Sequence, residues 1–405
     1  MKDDKAATVT EAPVIPAPAS LTRHSSPFIL HPSGIPGRPT VAYVDLNRLE
    51  KNYAALRTFL DKSVRVLGVV KADAYGHGSL PIAHRLERLG IDALGVGTVS
   101  GGVELRASGI QCPILVLGGF WRGEEESIVR HGLTPTIYRL EQLYRLSEVA
   151  GGLSARLKYH LKMDTGMTRL GVDYTQIVEF ARTAQSIPHL HWEGLYSHLS
   201  SADENDPSFT RRQIERFLWA VQELASAGFE VPVKHLANSA GLINYPEAWY
   251  DMVRPGLSLL GLLPKYCRAP LDVSPILTLR TQIMSLRRVA TQTPLSYGRR
   301  FVTSREGTIA TLPIGYADGL SRLMSNKGAV IVRDQLAPIV GSVTMDMTLI
   351  DVTDIPHVQI NDDALIIGQS ARHSITAETI ADQIQTIPYE VFCAVSKRVP
   401  RHYLG

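Results

Sequence analysis

The residues best suited to chemistry begin with Lys71, which follows a run of apolar, largely β-branched residues. Val64–Val70 predicts a strand buried on both faces, and a short loop with Tyr75, Gly76 and Gly78 comes after the lysine. Lysine is rarely buried. A partly desolvated ammonium loses its proton more readily, and the neutral amine can form a Schiff base with an aldehyde. The alternative is a lysine that ends the strand and reaches into water, and this segment alone does not separate the two.

Further polar groups lie at or near the ends of later predicted strands. They lie in Lys162–Arg169 (KMDTGMTR), at His198, in His235–Ser239 (HLANS) and in Arg254–Gly256 (RPG). Together with Lys71 they supply one amine, several donors suited to an anion, and glycines that let backbone N–H groups approach it. A bound phosphate needs this combination. Each group alone could instead be structural, as an arginine paired with a carboxylate or a histidine satisfied in the core.

These groups must be positioned by a regular scaffold, and residues 39–272 alternate apolar strands with amphipathic helical segments. Such alternation predicts an α/β fold, and more specifically a (β/α)8 barrel rather than an open doubly wound sheet. In that barrel, active-site groups lie at the carboxyl ends of the strands. The predicted strands are Arg65–Val70, Ala93–Gly97, Ile114–Leu117, Thr134–Tyr138, Arg156–Lys162, His191–Tyr196, Val233–Leu236 and Leu257–Gly261.

The pattern changes in residues 273–405, where short β-rich runs are separated by Gly, Pro and Asp. Short strands separated by turn residues predict a separate, mainly-β C-terminal domain. Its predicted strands are Gly307–Leu312, Ala329–Val332, Ile339–Val343, Met347–Val352 and Ala364–Ile367, with one helix at Ala377–Ile384. Residues 1–38 are rich in Ala and Pro and show no periodicity, so we expect a disordered extension there.

Composition excludes several other classes of protein. The formal charge of +3 over 405 residues comes without Lys/Arg blocks, so we expect no nucleic-acid or membrane partner. Three dispersed cysteines fit a reducing compartment such as the cytoplasm. The histidines are scattered without an HExxH spacing, which predicts no metal site.

Longer motifs carry a resemblance to a known family. The sequence resembles the alanine racemases, pyridoxal-phosphate enzymes built from a (β/α)8 barrel and a β domain, from residue 40 to residue 405. The motifs are VVKADAYGHG (Val69–Gly78), KMDTGMTRLG (Lys162–Gly171), HLANSAG (His235–Gly241), VRPGLSLLG (Val253–Gly261), SYGRRF (Ser296–Phe301), LPIGYADGLSR (Leu312–Arg322), GSVTMDMTLIDVT (Gly341–Thr353), PYE (Pro388–Glu390) and RVPR (Arg398–Arg401).

The resemblance implies interconversion of L- and D-alanine by two bases, which supplies D-alanine for peptidoglycan. Lys71 would bind pyridoxal 5'-phosphate covalently and act as the base on one face of the substrate. Tyr297 would act on the opposite face, from the partner subunit of a homodimer with shared active sites. A free tyrosine titrates near pKa ~10, so Tyr297 would need positive charge nearby.

The resemblance also implies how the cofactor is held. Arg254 would face the pyridine nitrogen, with His198 behind it. Because guanidinium stays protonated, that nitrogen would remain unprotonated and the electron sink shallower, which favours racemisation over the related barrel decarboxylases. The implied phosphate contacts are Tyr75, Ser239, Gly256, Leu257 and Tyr389.

The implied substrate contacts come from both domains. Arg169 would bind the phenolic oxygen of the cofactor and then the substrate carboxylate. Lys162 matches a lysine that is carbamylated in some members of the family. Tyr316, Met345 and Asp346 match the segment that lines the substrate entrance from the partner subunit.

One departure keeps alternatives open. Thr344 stands where many members have cysteine, and threonine also occurs in relatives with broader substrate use. A racemase for serine or lysine is therefore an alternative function. A barrel decarboxylase and a pyridoxal-phosphate carrier without turnover are weaker alternatives, since Arg254 opposes the first, and the β domain with Tyr297 opposes the second.

Overall fold

Eight parallel strands form a nearly closed barrel in the computed structural model, which describes residues 37–405. Neighbouring strands pair in sequence order, and the last, Met252–Val253, pairs back with the first, Arg65–Val69. This confirms the predicted (β/α)8 barrel. The barrel strands are Arg65–Val69, Ala93–Val96, Ile114–Val116, Thr134–Ile137, Leu157–Asp164, Leu190–Tyr196, Val233–His235 and Met252–Val253, with Val172–Asp173 added beside Leu157–Asp164.

Helices connect the barrel strands and cover their outer face. The longest, Ser208–Ser226, buries Ile214, Phe217 and Leu224 at helical spacing, as an amphipathic helix on a barrel must. The helices of this region are Leu46–Phe59, Lys71–Gly76, Ser79–Arg88, Val99–Ala107, Glu125–Arg130, Leu140–Gly152, Ile177–Gln185, Ser208–Ser226 and Ser239–Asn244, with 3₁₀ turns at Tyr174–Gln176 and Pro246–Ala248.

The prediction of an eighth strand at Leu257–Gly261 was wrong. That segment forms successive turns, in which Leu259 N donates to Gly256 O at 3.1 Å and Leu262 N donates to Leu257 O at 3.0 Å. Its leucines are buried in the core, so the apolar run reports burial rather than an extended backbone. The strand lies earlier, at Met252–Val253, and is too short to leave a periodic pattern.

A separate, mainly-β domain follows, as predicted. Its largest sheet is ordered Gln335–Pro338, Ala329–Val332, Asp363–Gln369, Leu277–Gln282, Val41–Asp45, Arg401–Leu404, with Ser374–Ile375 beside Asp363–Gln369. A three-stranded sheet contains Ser285–Val289, Gly307–Leu312 and Thr348–Asp351, and a hairpin pairs Pro294–Leu295 with Phe301–Val302. The helices are Ala377–Ile384 and Pro388–Ala394, with 3₁₀ turns at Tyr297–Arg299 and Arg322–Met324.

Two features of this domain differ from expectation. Ile339–Val343 was predicted as a strand but contributes only an isolated bridge from Ile339 to Ile350, and the strand lies just before it at Gln335–Pro338. The early strand Val41–Asp45 joins the large sheet, antiparallel to Leu277–Gln282 and parallel to Arg401–Leu404. The chain thus passes through the β domain before it enters the barrel.

The expected disordered extension, residues 1–38, lies outside the described residues except for its last two positions. Within residues 37–405, none of the helices is both long and apolar enough for a membrane crossing.

A left-handed turn directly follows the first barrel strand. Four consecutive non-glycine residues, Ala72 to Tyr75, have φ between 49° and 55°. L-residues pay roughly 1–2 kcal/mol each in this conformation because Cβ approaches the following carbonyl oxygen. Gly76 continues the turn at φ 80°, where a Cβ would lie 2.3 Å from the carbonyl oxygen of Phe392. The turn is therefore strained, and close packing leaves Gly76 no room for a side chain.

We predict that Ala72→Gly stabilises the protein. Ala72 is exposed, so the change removes little packing, and glycine relieves roughly 1–2 kcal/mol of left-handed strain against about 0.5–1 kcal/mol of added chain entropy in the unfolded state. The net gain should be about 0.5–1 kcal/mol in urea unfolding of the apoprotein. The matched control is Ala54→Gly, at an exposed position of the right-handed helix Leu46–Phe59, which should cost about 1 kcal/mol. Equal losses in both variants would contradict the strain argument.

Candidate functional site

The predicted site residues of the barrel lie at the carboxyl ends of its strands. Lys71 follows Arg65–Val69, Lys162 lies near the end of Leu157–Asp164, and Arg254 directly follows Met252–Val253. His198 and Ser239 lie just beyond the ends of two further strands. Because the strands are parallel, all five groups are brought to one mouth of the barrel.

Positive charge is concentrated at this mouth. Burial lowers the pKa of the Lys71 ammonium, and repulsion from Arg169 and Arg254 lowers it further. Burial, followed by repulsion from Arg254 and Arg169, lowers the pKa of Lys162 to about 7. Lys162 is 5 % exposed. The mouth therefore offers amines that give up their protons readily, in surroundings that attract an anion.

Arg254 lies at the base of this cluster and is 3 % exposed. Its Nη1 donates to His235 Nδ1 at 3.1 Å and to the carbonyl oxygen of His235 at 3.0 Å. Its Nη2 donates to the carbonyl oxygens of Ser197 at 2.8 Å and Leu236 at 3.0 Å, and lies 3.3 Å from His198 Nδ1. The acceptors are carbonyls and imidazoles, so the charge of Arg254 is hydrogen-bonded but not neutralised by them.

A chain of buried histidines extends from Arg254 through the barrel. His235 Nε2 lies 2.8 Å from His160 Nδ1, and His160 Nε2 lies 3.4 Å from Glu193 Oε2. Burial keeps the pKa of both imidazoles below the usual value, with that of His235 well below it. Since His235 Nδ1 accepts from a guanidinium, we assign its proton to Nε2, and the same logic places the His160 proton on Nε2. Each neutral histidine thus accepts on one side and donates on the other.

Glu193 ends this chain as a carboxylate. The hydrogen bond from His160 and that from Lys158 help to lower its pKa to about 2. Burial opposes this effect but is smaller than the His160 contribution. The carboxylate that is linked to Arg254 by hydrogen bonds is therefore separated from it by two histidines.

The ring of Tyr196 packs against the cationic cluster. Its ring stacks on His235 at 4.7 Å, and both Lys162 Nζ and Arg254 Cζ lie 5.2 Å from the ring centroid. The hydroxyl lies 2.8 Å from Thr136 Oγ1. Burial raises the pKa of this phenol to about 12, so the ring is neutral and presents its π-face to two cations.

Sequence reasoning missed Tyr196, His160 and Glu193. Each belongs to a strand, and the alternation of residue types does not reveal which side chains meet across the barrel. The available signal was the position of Tyr196 at the end of its strand, two residues before His198.

The predicted phosphate contacts also converge. Ser239 Oγ accepts hydrogen bonds from Gly256 N at 2.9 Å and Ser258 N at 3.4 Å. A Cβ at Gly256 would lie 2.6 Å from the hydroxyl oxygen of Tyr75, so only glycine allows this close approach. The rings of Tyr75 and Tyr389 lie 5.5 Å apart. Hydroxyls and backbone N–H groups thus meet beside the cationic cluster, and Leu257 is buried next to them.

Four other predicted residues lie elsewhere on the single chain. Tyr297, Tyr316, Met345 and Asp346 line one surface cavity of about 880 Å³, whose lining comes entirely from the β domain. Tyr297 is 75 % exposed. Asp346 pairs with Arg398 at 2.5 Å. Among the residues from 37 onward, no group of three or more His, Cys, Asp or Glu is arranged to hold a metal ion.

Two family models match the chain, one to each domain. The alanine racemase N-terminal domain matches residues 44–264, and the alanine racemase C-terminal domain matches residues 276–403. Among similar proteins, the alanine racemase of Halothermothrix orenii is 42% identical over 90% of this chain and 97% of its own length. That of Geobacter sulfurreducens is 41% identical over 91% of this chain and 98% of its own.

Solved structures give the same result. Alanine racemase from Bacillus anthracis with bound L-Ala-P has a TM-score of 0.86 at 31% identity, covering 91% of this chain and 96% of that one. Alanine racemase from Bartonella henselae, with covalently bound pyridoxal phosphate, has a TM-score of 0.82 at 27% identity, covering 91% and 100%. With matches to both domain models and to full-length relatives, the chain belongs to the alanine racemase family.

Proposed function

We propose that this protein is an alanine racemase that uses pyridoxal 5'-phosphate to interconvert L- and D-alanine. The observation that carries the proposal is the buried guanidinium of Arg254 beside two neutral histidines, at the mouth that also holds Lys71. D-alanine for peptidoglycan is the product we infer for the cell. The three cysteines are thiols in the structure, which supports a reducing, cytoplasmic setting.

The residues at the mouth fit this cofactor. Tyr75, Ser239, Gly256, Leu257 and Tyr389 would hold its phosphate. In support, Gly256 N donates to Ser239 Oγ, and the Tyr75 hydroxyl approaches Gly256 so closely that a Cβ there would lie 2.6 Å from it. The surrounding positive charge suits its anionic groups. When bound, the cofactor supplies a conjugated ring that delocalises the electron pair left by the departing α-proton of alanine.

Lys71 has two roles in the proposed reaction. Its lowered pKa increases the fraction of neutral amine, which is the form that bonds to the cofactor aldehyde. Once substrate displaces it, the same Nζ can take or return the α-proton on its own face. The left-handed turn after Lys71 supports both roles because it fixes the direction in which the side chain leaves the strand.

Arg254 would limit the chemistry to racemisation. Its hydrogen bonds to His235, Ser197 and Leu236 hold the guanidinium in place. Its permanent charge would disfavour a proton on a ring nitrogen bound beside it. Arg254 would thereby disfavour transamination and decarboxylation. His198, neutral and beside the guanidinium, adds an acceptor and no competing charge.

A second proton donor on the opposite face would come from another copy of the chain. Tyr297 is exposed and lines a cavity separate from the barrel mouth, as expected for a group that completes a partner's site. We propose a homodimer in which Tyr297, Tyr316, Met345 and Asp346 of each chain cover the mouth of the other.

Arg169 would bind the substrate carboxylate, and Lys162 would position it. The pKa of about 7 leaves much of the Lys162 amine neutral at physiological pH. A neutral amine can add carbon dioxide to give a carbamate, which would replace a cation by an anion beside Arg254 and Arg169. We therefore propose Lys162 as a carbamylation site.

Carbamylation is testable by ¹³C NMR of protein equilibrated with ¹³C-bicarbonate. We expect one carbamate resonance that disappears in Lys162→Ala, with Lys158→Ala, an exposed lysine of the same strand, as the control. The signal should fall as the pH drops through about 7, because the protonated amine does not react. A spectrum unchanged by Lys162→Ala would refute this assignment.

The shared active site is testable by subunit complementation. Lys71→Ala and Tyr297→Phe homodimers should each lose alanine racemisation. Mixing and reassembling them in equal amounts should restore about a quarter of wild-type activity, because half of the dimers would be mixed and each would hold one intact site. If Tyr297 served its own chain, every site would carry one substitution and no activity would return.

The same assay tests substrate choice. Conversion of L-alanine well above L-serine and L-lysine supports an alanine racemase, whereas comparable rates would indicate a broader racemase and direct attention to Thr344. Wild-type protein that binds the cofactor at Lys71 and converts none of the three would refute racemisation.

A further inference from the structure

The strained turn that carries Lys71 is held by the last strand of the β domain. Arg401, at the start of Arg401–Leu404, donates from Nε and Nη2 to the carbonyl oxygen of Gly76 at 3.1 Å and 3.0 Å. Its Nη1 donates to the carbonyls of Ser396 at 2.5 Å and Val399 at 2.7 Å. One guanidinium thus joins the turn to the chain segment that precedes the last strand.

A second contact comes from within the turn itself. His77 Nδ1 lies 3.0 Å from the carbonyl oxygens of both Ala74 and Tyr75, and its ring packs on Phe392 of the β domain at 4.8 Å. Burial lowers the pKa of His77 to about 4, so the imidazole is neutral and Nδ1–H is the donor. His77 and Arg401 therefore donate hydrogen bonds to three successive carbonyl oxygens, those of Ala74, Tyr75 and Gly76.

These contacts supplement the local hydrogen bonds of the turn. Left-handed φ angles persist in L-residues only where the surroundings over-determine them. The local hydrogen bonds, such as Ala74 N to Val70 O at 3.0 Å, are those of a single turn. The guanidinium of Arg401 donates to Gly76, although the two residues are 325 positions apart in the chain. It can bind the turn and the segment before the last strand at the same time, because a guanidinium donates in several directions.

We propose that Arg401 is a positioning residue that clamps the left-handed turn, so that Lys71 and Tyr75 face the barrel mouth. Retention of the cofactor then depends on docking of the last β strand. The inference rests on the proposed function, because it concerns the turn whose lysine binds the cofactor. Arg401 itself contacts backbone carbonyls and has no part in proton transfer.

The test uses apoprotein of the wild type, Arg401→Met, Arg401→Lys and the double variant Ala72→Gly/Arg401→Met. The dissociation constant for pyridoxal 5'-phosphate is measured by absorbance titration, and hydrogen exchange is measured by mass spectrometry. We expect Arg401→Met to weaken cofactor binding at least tenfold and to increase exchange in residues 72–79, while the barrel strands stay protected. Arg305→Met, at an exposed ion pair with Asp354, is the control and should change neither.

The double variant separates a clamp from a general structural role. Glycine at position 72 adopts the left-handed conformation without a Cβ penalty, so Ala72→Gly should recover at least threefold of the lost affinity in Arg401→Met. If Arg401→Met does not fold, Arg401→Lys serves, with a loss of three- to tenfold and the same rescue by Ala72→Gly.

Three outcomes would overturn the clamp: unchanged affinity and exchange, exchange that rises equally throughout the barrel, or affinity that Ala72→Gly does not recover. Borohydride reduction followed by peptide mapping shows whether the cofactor bonds to Lys71 in the wild type. Absence of that bond would refute the proposed function. The exchange data on residues 72–79, which need no cofactor, would still test the clamp.

Discussion

The arrangement of the site depends on keeping one permanently charged guanidinium buried. Arg254 cannot escape the cost of burial by losing its proton at physiological pH, even though burial lowers its pKa to about 10. Carbonyls of the barrel strands and two neutral imidazoles satisfy its N–H groups instead. Its repulsion also contributes to the lowered pKa of Lys71 and Lys162. One buried cation thus orients the tautomers of the neighbouring histidines and adds to the effect of burial on the two amines.

The histidine chain explains how that burial is tolerated without a carboxylate in contact. Glu193 lies at the far end of the chain, and its hydrogen-bonded connection to Arg254 runs through His160 and His235. A carboxylate in direct contact would partly cancel the field of the guanidinium at the mouth. The distance between the two charges therefore preserves the positive potential that an anionic cofactor requires.

The two domains cooperate at the same mouth. The barrel alone supplies Lys71 and Arg254, but the turn after Lys71 is packed against Phe392 and bonded to Arg401, and Tyr389 lies against Tyr75. Because the strand Val41–Asp45 pairs with Arg401–Leu404, the beginning and the end of the described chain hold this junction together. The strained turn after Lys71 therefore lies at the junction between the two domains.

The alternation of strands and helices, and with it the placement of Lys71 and Lys162 at strand ends, followed from the sequence alone. Arg254 preceded the predicted eighth strand, Leu257–Gly261, whereas in the structure it directly follows Met252–Val253. Burial on both faces leaves continuous apolar runs, and parallel strands bring their ends together. The sequence could not show whether Met252–Val253 or Leu257–Gly261 is the eighth barrel strand, because both segments are apolar and buried. The contacts of Tyr196, His160 and Arg401 are visible only in the three-dimensional structure. Those contacts join residues that are far apart along the chain, and local residue patterns report burial and period but not which distant neighbour a side chain meets.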